Sequence, residues 1–470
     1  MHESQEHYFE EDSLYQAINK FEDMRRNKST MYFDVYEFEI IIDYYLDQHH
    51  FSQAGDAIDI ALNQHPASQE LKYRLAQLYV NSGKPAKGVR LLRDIESLET
   101  SNTDFHLLKG TALNLLGKKE DASQAFTDAI KMATDGKDEV IFSIALSYIT
   151  NRRYKSAIRY LKLALEINPK NIDVVQELAL VYERTDDLEE SAACYKRCLD
   201  IDPFNDHIWY SLGLTYSSLQ QIKKSVDAFE YATSIRPTNI AAFFALANAY
   251  ISICEYENAI NAYRDIIEVD PRNVQAYTYI GESYEKMGYY KQAIYYFKRA
   301  IEIDELYSDA WYGMGIAAYQ QDSYKECIGY FKRATEIDPE NPDFWFMLGE
   351  VYRKLEILEK AAEAFNSAVE LDPNDYEAWI CRAELSYKDN SDVKGAIKVL
   401  KKAVQYNEDN STLNYQLATY LFYNNQSKLA YQYFEKGLSI NYTEHNDFIE
   451  DISDKFHSTI NRKLVSKYKK

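Results

Sequence analysis

The sequence predicts an all-α chain of tandem antiparallel helix pairs, and three observations carry the prediction. Residues 342–375, PDFWFMLGEVYRKLEILEKAAEAFNSAVELDPND, hold two apolar-periodic segments, roughly 342–355 and 358–370, split by a polar turn. Trp345, Leu348, Gly349 and Tyr352 in the first, and Ala361, Phe365 and Ala368 in the second, fall three and four apart, so each segment reads as a helix with one apolar stripe. The pattern then returns every 34 residues: as Trp311, Met314, Gly315, Cys327, Phe331, Ala334 and Pro339; as Phe243, Leu246, Ala247, Tyr250, Ala259, Tyr263 and Pro271; and as Trp209, Leu212, Gly213, Tyr216, Ser225, Phe229, Ala232 and Pro237. Finally, only 9 prolines and 15 glycines occur in 470 residues, and most prolines sit at the one position between pairs, as an almost all-helical array requires.

Trp-x2-Leu-Gly-x2-Tyr, then Ala-x3-Phe-x2-Ala, then Pro resembles the tetratricopeptide repeat at its signature positions. The resemblance implies a right-handed superhelical solenoid of antiparallel helix pairs, in which each repeat buries its face on its neighbours. Twelve units are expected over residues 35–444, starting at Val35, Gln69, Thr103, Asp138, Ile172, Asp206, Ile240, Val274, Ser308, Pro342, Tyr376 and Ser411. Residues 1–34 are expected to form a tail and a capping half-repeat, and residues 445–470 a C-terminal solvating helix.

Taken in order, Asp12 or Ser13 can cap a helix running to about Arg25, whose Ala17, Phe21 and Met24 match a second repeat helix with no first one before it. Units two and three are the poorest in the signature, with Lys72, His106 and Lys109 where other units carry apolar residues, so a softer junction is expected there. From Asp138 to Pro373 the turns repeat one chemistry. Asn171, Asn205, Asn239, Asn273, Asn341 and Asp375 are placed to cap the next helix, while Gly83, Gly117 and Gly288 sit in the turn within a pair, where a positive φ is needed. In the unit from Tyr376, Arg382 replaces an apolar residue and one inserted residue shifts the second helix to Ala396, Leu400 and Ala403. Beyond the last unit Phe448, Ile452, Phe456, Ile460 and Leu464 lie four apart, which suits a solvating end helix or a detachable amphipathic segment.

Composition narrows the function classes. A net charge of −21 repels nucleic-acid phosphates, no apolar run approaches the ~18 residues of a membrane span, and the charged first thirty residues lack the apolar core of a signal peptide. A cytoplasmic protein is expected. The five cysteines are scattered; Cys194 and Cys198 are too few ligands for a metal site, and Cys198 and Cys327 stand where other units place alanine. Gly313-Met-Gly315 lies inside a predicted helix without the strand a dinucleotide loop needs, and Gly117-Lys118 lacks phosphate-loop spacing. No catalytic, metal or cofactor motif remains, and a non-catalytic protein is expected.

Family analogy places unit positions 2, 5, 9 and 12 in the groove of the repeat stack. Position 5 reads Tyr73, Phe142, Tyr210, Phe244, Tyr312, Phe346 and Tyr415; position 9 supplies Asn248, Glu282, Glu350 and Glu384; position 2 supplies Asp173, Asp309, Asp343 and Glu377. Repeats that clamp an acidic chaperone tail carry Lys or Arg at position 5 and Asn at position 9, so aromatics and acids here disfavour such a ligand. Either the position-5 rings bind, or they pack against neighbouring elements. The expected function is a scaffold that holds an extended or helical, basic or apolar segment of a partner protein; the alternative is a regulatory or substrate-recruiting subunit of an enzyme complex.

Overall fold

The structure is a computed structural model and describes residues 3–27, 29–96, 102–390, 392–443, 445 and 465–468. Among the described residues the chain forms twenty-five helices between Glu3 and Ile440, a further helical turn at 465–468 and no strand, grouped in two compact units, Met1–Ala228 and Phe229–Lys470. Within each, helices follow one another as short antiparallel pairs. First helices such as Val35–Asp47, Gln69–Asn81, Ile172–Arg184, Asp206–Ser218, Val274–Lys286 and Pro342–Lys354 start where the 34-residue units start, whereas the fourth begins at Lys137, one residue early.

The turns repeat because their hydrogen-bonding problem repeats. Each first helix leaves orphan amides at its start, and the side chains of Asn171, Asn205, Asn239 and Asn273 accept from Val174, Ile208, Ala242 and Ala276 N–H. Asp34 and Glu37 form a reciprocal capping box at the first pair. Eleven of the first helices then end on a residue in the left-handed region. Gly83, Gly117 and Gly288 supply it at φ near 75° (74°, 77° and 76°), but His49, Arg152, Asp186, Gln220, Cys254, Asp322, Glu356 and Asn425 adopt it too, at 54° to 64°. The following N–H reaches five residues back, as Lys84 to Tyr79 O at 2.7 Å and Arg153 to Tyr148 O at 2.9 Å, which satisfies one of the helix's last carbonyls.

In most pairs a ring meets a glycine or alanine, while Ile58, Leu92, Leu161 and Leu400 are buried at the ring's position in four others. A Cβ on Gly315 would lie 2.5 Å from the Phe331 ring, and one on Gly281 2.7 Å from Phe297, so the bare backbone there is what lets a fully buried phenylalanine enter between the helices. The residue before the signature tryptophan is equally buried: Ile208, Ala310, Phe344 and Ala378 are at most 2% exposed.

Several expectations change. The first helix runs Glu3–Arg26, starting well before Asp12, because no proline or glycine interrupts residues 3–12; its Ala17, Phe21 and Met24 are buried as expected. Trp311 and Trp345 only partly enter the core. An indole N–H needs an acceptor, and Trp209, Trp345 and Trp379 donate theirs to the carbonyls of Pro203, Pro339 and Pro373 at 2.8, 2.9 and 3.0 Å, tying each first helix to the turn before it. Lys72, His106 and Lys109 do not leave holes, since Leu71 and Phe105 next to them are fully buried, and Lys109 Nζ donates to Glu96 at 2.5 Å. Residues 448–464 lie outside the described residues; Val465 and Tyr468 pack on the last core cluster.

Candidate functional site

In the unit Phe229–Lys470 the position-5 rings have a common partner, the aromatic residue nineteen positions later in the same pair. Phe244 lies 5.9 Å from Tyr263, Tyr312 and Phe346 each 5.6 Å from Phe331 and Phe365, and Tyr415 5.8 Å from Phe434. Such edge and tilted contacts contribute about 0.5–1.5 kcal/mol beyond area burial, so these rings pack whatever else they do. Phe244, Tyr312 and Phe346 remain half-buried. Tyr415 is only 4% exposed and donates its hydroxyl to Asn441 O at 2.8 Å, which makes it a core residue with no face to offer a ligand.

In the unit Met1–Ala228, Tyr73, Phe142 and Tyr210 are half-buried. The Arg74 guanidinium lies 5.6 Å over Tyr73 and donates to Asp43 at 2.8 Å. Position 9 of the first pair is thus an acid already paired, and burial still pushes the Asp43 carboxyl up.

The acids predicted at position 9 divide into two kinds. Glu350 is buried, at 9% exposure, and takes a bidentate pair from Arg353 at 2.9 and 2.7 Å. The same guanidinium stands 3.7 Å from Glu384, so one cation serves two carboxylates. Cys381 points at Glu350 from 3.6 Å, and burial pushes its thiol up to about 12. Glu282 differs: it is exposed to water, yet protein crowds it from several sides and its carboxyl is pushed up to about 7, with Asp309 and Glu285 adding to the rise and Lys286 opposing it. The Asp309 carboxyl is raised as well, by burial first, while the neighbouring Tyr307 hydroxyl pulls the other way.

Glu282 and Asp309 share their surroundings with a ring cluster. Phe244, Tyr263 and Tyr279 lie 5.5 to 6.1 Å apart, and Tyr263 donates its hydroxyl to the exposed Asn248 at 3.1 Å. Burial and Glu282 both push the Tyr263 and Tyr279 phenols up. The structure therefore gathers Phe244, Asn248, Glu282 and Asp309 with Tyr263, Tyr279 and Tyr307, and it ties Glu350 and Glu384 to Arg353. Tyr279 and Arg353 were missed by the sequence reading; their position-6 and position-12 neighbours differ from unit to unit, so no column of repeated residues marks them.

Family models described as tetratricopeptide repeat match residues 73–139, 148–215, 206–239, 240–273, 274–307 and 308–341. The chain is a tetratricopeptide repeat protein. A further model, described as the tetratricopeptide repeat domain of cytochrome c-type biogenesis protein H, matches residues 334–445 of the repeat array. Among solved structures, the crystal structure of MamA protein is 26% identical, covering 36% of this chain and 92% of its own, with a TM-score of 0.34. A tetratricopeptide repeat protein from Parabacteroides merdae is 17% identical over 52% of this chain and 97% of its own, at a TM-score of 0.42. The Cut9–Hcn1 hetero-tetramer of the APC/C supplies a chain 15% identical over 82% of this one and 90% of its own, at a TM-score of 0.39. No curated protein matches the repeat chain. Among the described residues no helix is long and apolar enough to cross a membrane.

Proposed function

We propose that this repeat protein is a non-catalytic scaffold that holds an extended, basic segment of a partner protein along the first helices of the unit Phe229–Lys470. The observation that carries the reading is the pairing of Glu282 and Asp309 beside the Phe244, Tyr263 and Tyr279 rings. Two carboxyls whose ionised forms are each disfavoured are relieved by an incoming ammonium or guanidinium, and aromatic rings attract the same cation. Glu350 and Glu384 contribute less, because Arg353 already compensates them. The position-5 rings supply the edges against which the segment's apolar side chains pack.

Capture from a lysate of the native host tests this. Glu282→Lys together with Asp309→Lys changes charge at positions with water access and leaves the pair core intact, so it is expected to abolish capture at an unchanged denaturant midpoint. Undiminished capture by that variant contradicts the reading. An enzyme activity brought down with the wild type places the scaffold in a catalytic complex.

A further inference from the structure

The structure carries one surface feature twice. A niche of about 470 Å³, lined only by residues of the unit Met1–Ala228, opens between helices Leu188–Ile201 and Asp206–Ser218 and the start of the helix that follows, from Ile222 to Ala228. A second, of about 370 Å³, opens between Tyr324–Ile337, Pro342–Lys354 and Leu358–Leu371 in the unit Phe229–Lys470. Both lie within the size range of small-ligand pockets, which starts near ~300 Å³. Every lining position of one recurs in the other 136 residues later, four repeats on: Trp209 as Trp345, Tyr216 as Tyr352, Lys196 as Lys332, Lys224 as Lys360, with acid for acid at Asp200 and Glu336 and at Asp227 and Glu363, and with Leu199 alone changing character, to Thr335.

Repeat packing accounts for the tryptophan and the tyrosine, which fall on signature positions, but not for the paired lysines. The chain has four tryptophans, and the other two, Trp311 and Trp379, are followed seven residues on by Ala318 and Ser386 instead of tyrosine. Tryptophan, tyrosine and the paired lysines therefore coincide in two repeats only. None of these residues belongs to the groove proposed above.

The charges in each niche are sorted by end. Lys196 Nζ and Lys224 Nζ each stand 5.5 Å from the Tyr216 ring, one from the helix on either side, and Lys360 Nζ stands 6.0 Å from Tyr352. Asp200 and Asp227 follow these lysines by four and three residues, about one helical turn, toward the end where the Trp209 indole bonds Pro203 O. The rim is thus cationic at the tyrosine and anionic at the tryptophan, over an aliphatic floor of Leu199, Leu212 and Ala228. An all-anionic or all-cationic partner meets repulsion at one end.

We infer that the two niches are twin docking sites for a protein segment that presents one large apolar side chain between an acidic and a basic residue. The apolar group sits against the indole over the aliphatic floor, its acidic neighbour lies between the two lysines, and its basic neighbour lies between the two acids. Opposite charges at each end give the segment one orientation.

The test uses the full chain with 5-fluorotryptophan at its four tryptophans, the resonances assigned by single Trp→Phe variants. The probe is the capped tripeptide acetyl-Glu-Phe-Lys-amide, compared with the Glu-Phe-Glu, Lys-Phe-Lys and Glu-Ala-Lys versions. The resonances of Trp209 and Trp345 are expected to shift saturably with the first peptide and at least roughly tenfold more weakly with the others, while Trp311 and Trp379 stay in place. Lys196→Glu with Lys224→Glu is expected to remove the Trp209 response and spare that of Trp345, which also reports that the variant is folded. Lys332→Glu with Lys360→Glu is expected to do the reverse. A probe that moves no resonance, moves all four alike, or is indifferent to the rim charges overturns the inference.

Discussion

At Glu282 two predictions meet. Its carboxyl titrates near 7 in the folded chain against an ordinary 4.5, so between those values the native state binds more protons than the unfolded one, and stability falls as pH rises through that window. Glu282→Gln is therefore expected to raise the denaturant midpoint relative to wild type at about pH 8 and to leave it nearly unchanged at about pH 5. Binding runs the other way: a cationic segment requires the ionised carboxyl, so its affinity should rise from about pH 6 to about pH 8 in the wild type and stay flat in Glu282→Gln. The turn residues give a second prediction at this scale. Arg152 and Glu356 hold φ of 54° and 57°, a conformation that costs an L-residue roughly 1–2 kcal/mol, whereas glycine adds less than that in unfolded-state entropy. Arg152→Gly and Glu356→Gly are each expected to stabilise by about 0.5–1 kcal/mol in chemical denaturation, and Gly117→Ala to destabilise by a similar amount. The three turn glycines were legible in the sequence, while the eight other residues in the same backbone state were not, since nothing in a histidine or a glutamine announces a positive φ.

Most helix pairs stand on a ring seated over a small residue. Gly315→Ala forces a methyl to 2.5 Å from the Phe331 ring, and because that ring is fully buried it has nowhere to turn; overpacking of this kind costs about 1–3 kcal/mol. Phe365→Ala is expected to cost about 3–5 kcal/mol, and Trp345→Phe only about 0.5–1.5 kcal/mol, chiefly the bond to Pro339 O. Equal losses for Phe365→Ala and Trp345→Phe in urea melts would show that the indole, not the phenyl ring, is the core element. Helix starts were readable to within a residue across most of the array because Asn caps, signature glycines and inter-pair prolines fall at one spacing and reinforce each other. The partial burial of the tryptophan was not legible for a physical reason: apolar spacing counts the ring's area and does not show that its N–H must reach a carbonyl at the pair's edge. The buried position before it, Phe344 or Ala310, varies too much in size to form a visible signature.

For the whole molecule, stacking of nearest neighbours means that the weakest junctions open first. Units two and three keep Leu71 and Phe105 buried, yet Gln69 Oε1, Arg74 Nε and Gln77 Oε1 are buried there without a hydrogen-bond partner, and each such group costs about 1–3 kcal/mol. Amide exchange is expected to be faster in residues 69–137 than in 206–373, and equal protection would remove the case for a soft segment. The groove was only half legible from the chain. Position 5 and the acids were readable as columns of the repeat, but whether an acid is free or already compensated depends on a guanidinium three residues on, as Arg353 shows for Glu350, and no column records that. The central claim, a basic segment held beside Glu282 and Asp309, is tested most directly by hydrogen exchange on the full chain with and without its captured partner. The account predicts new protection in the first helices Ile240–Ser252, Val274–Lys286 and Ser308–Tyr319, lost in Glu282→Lys with Asp309→Lys. Protection confined to other helices, or unchanged by that charge reversal, would contradict it.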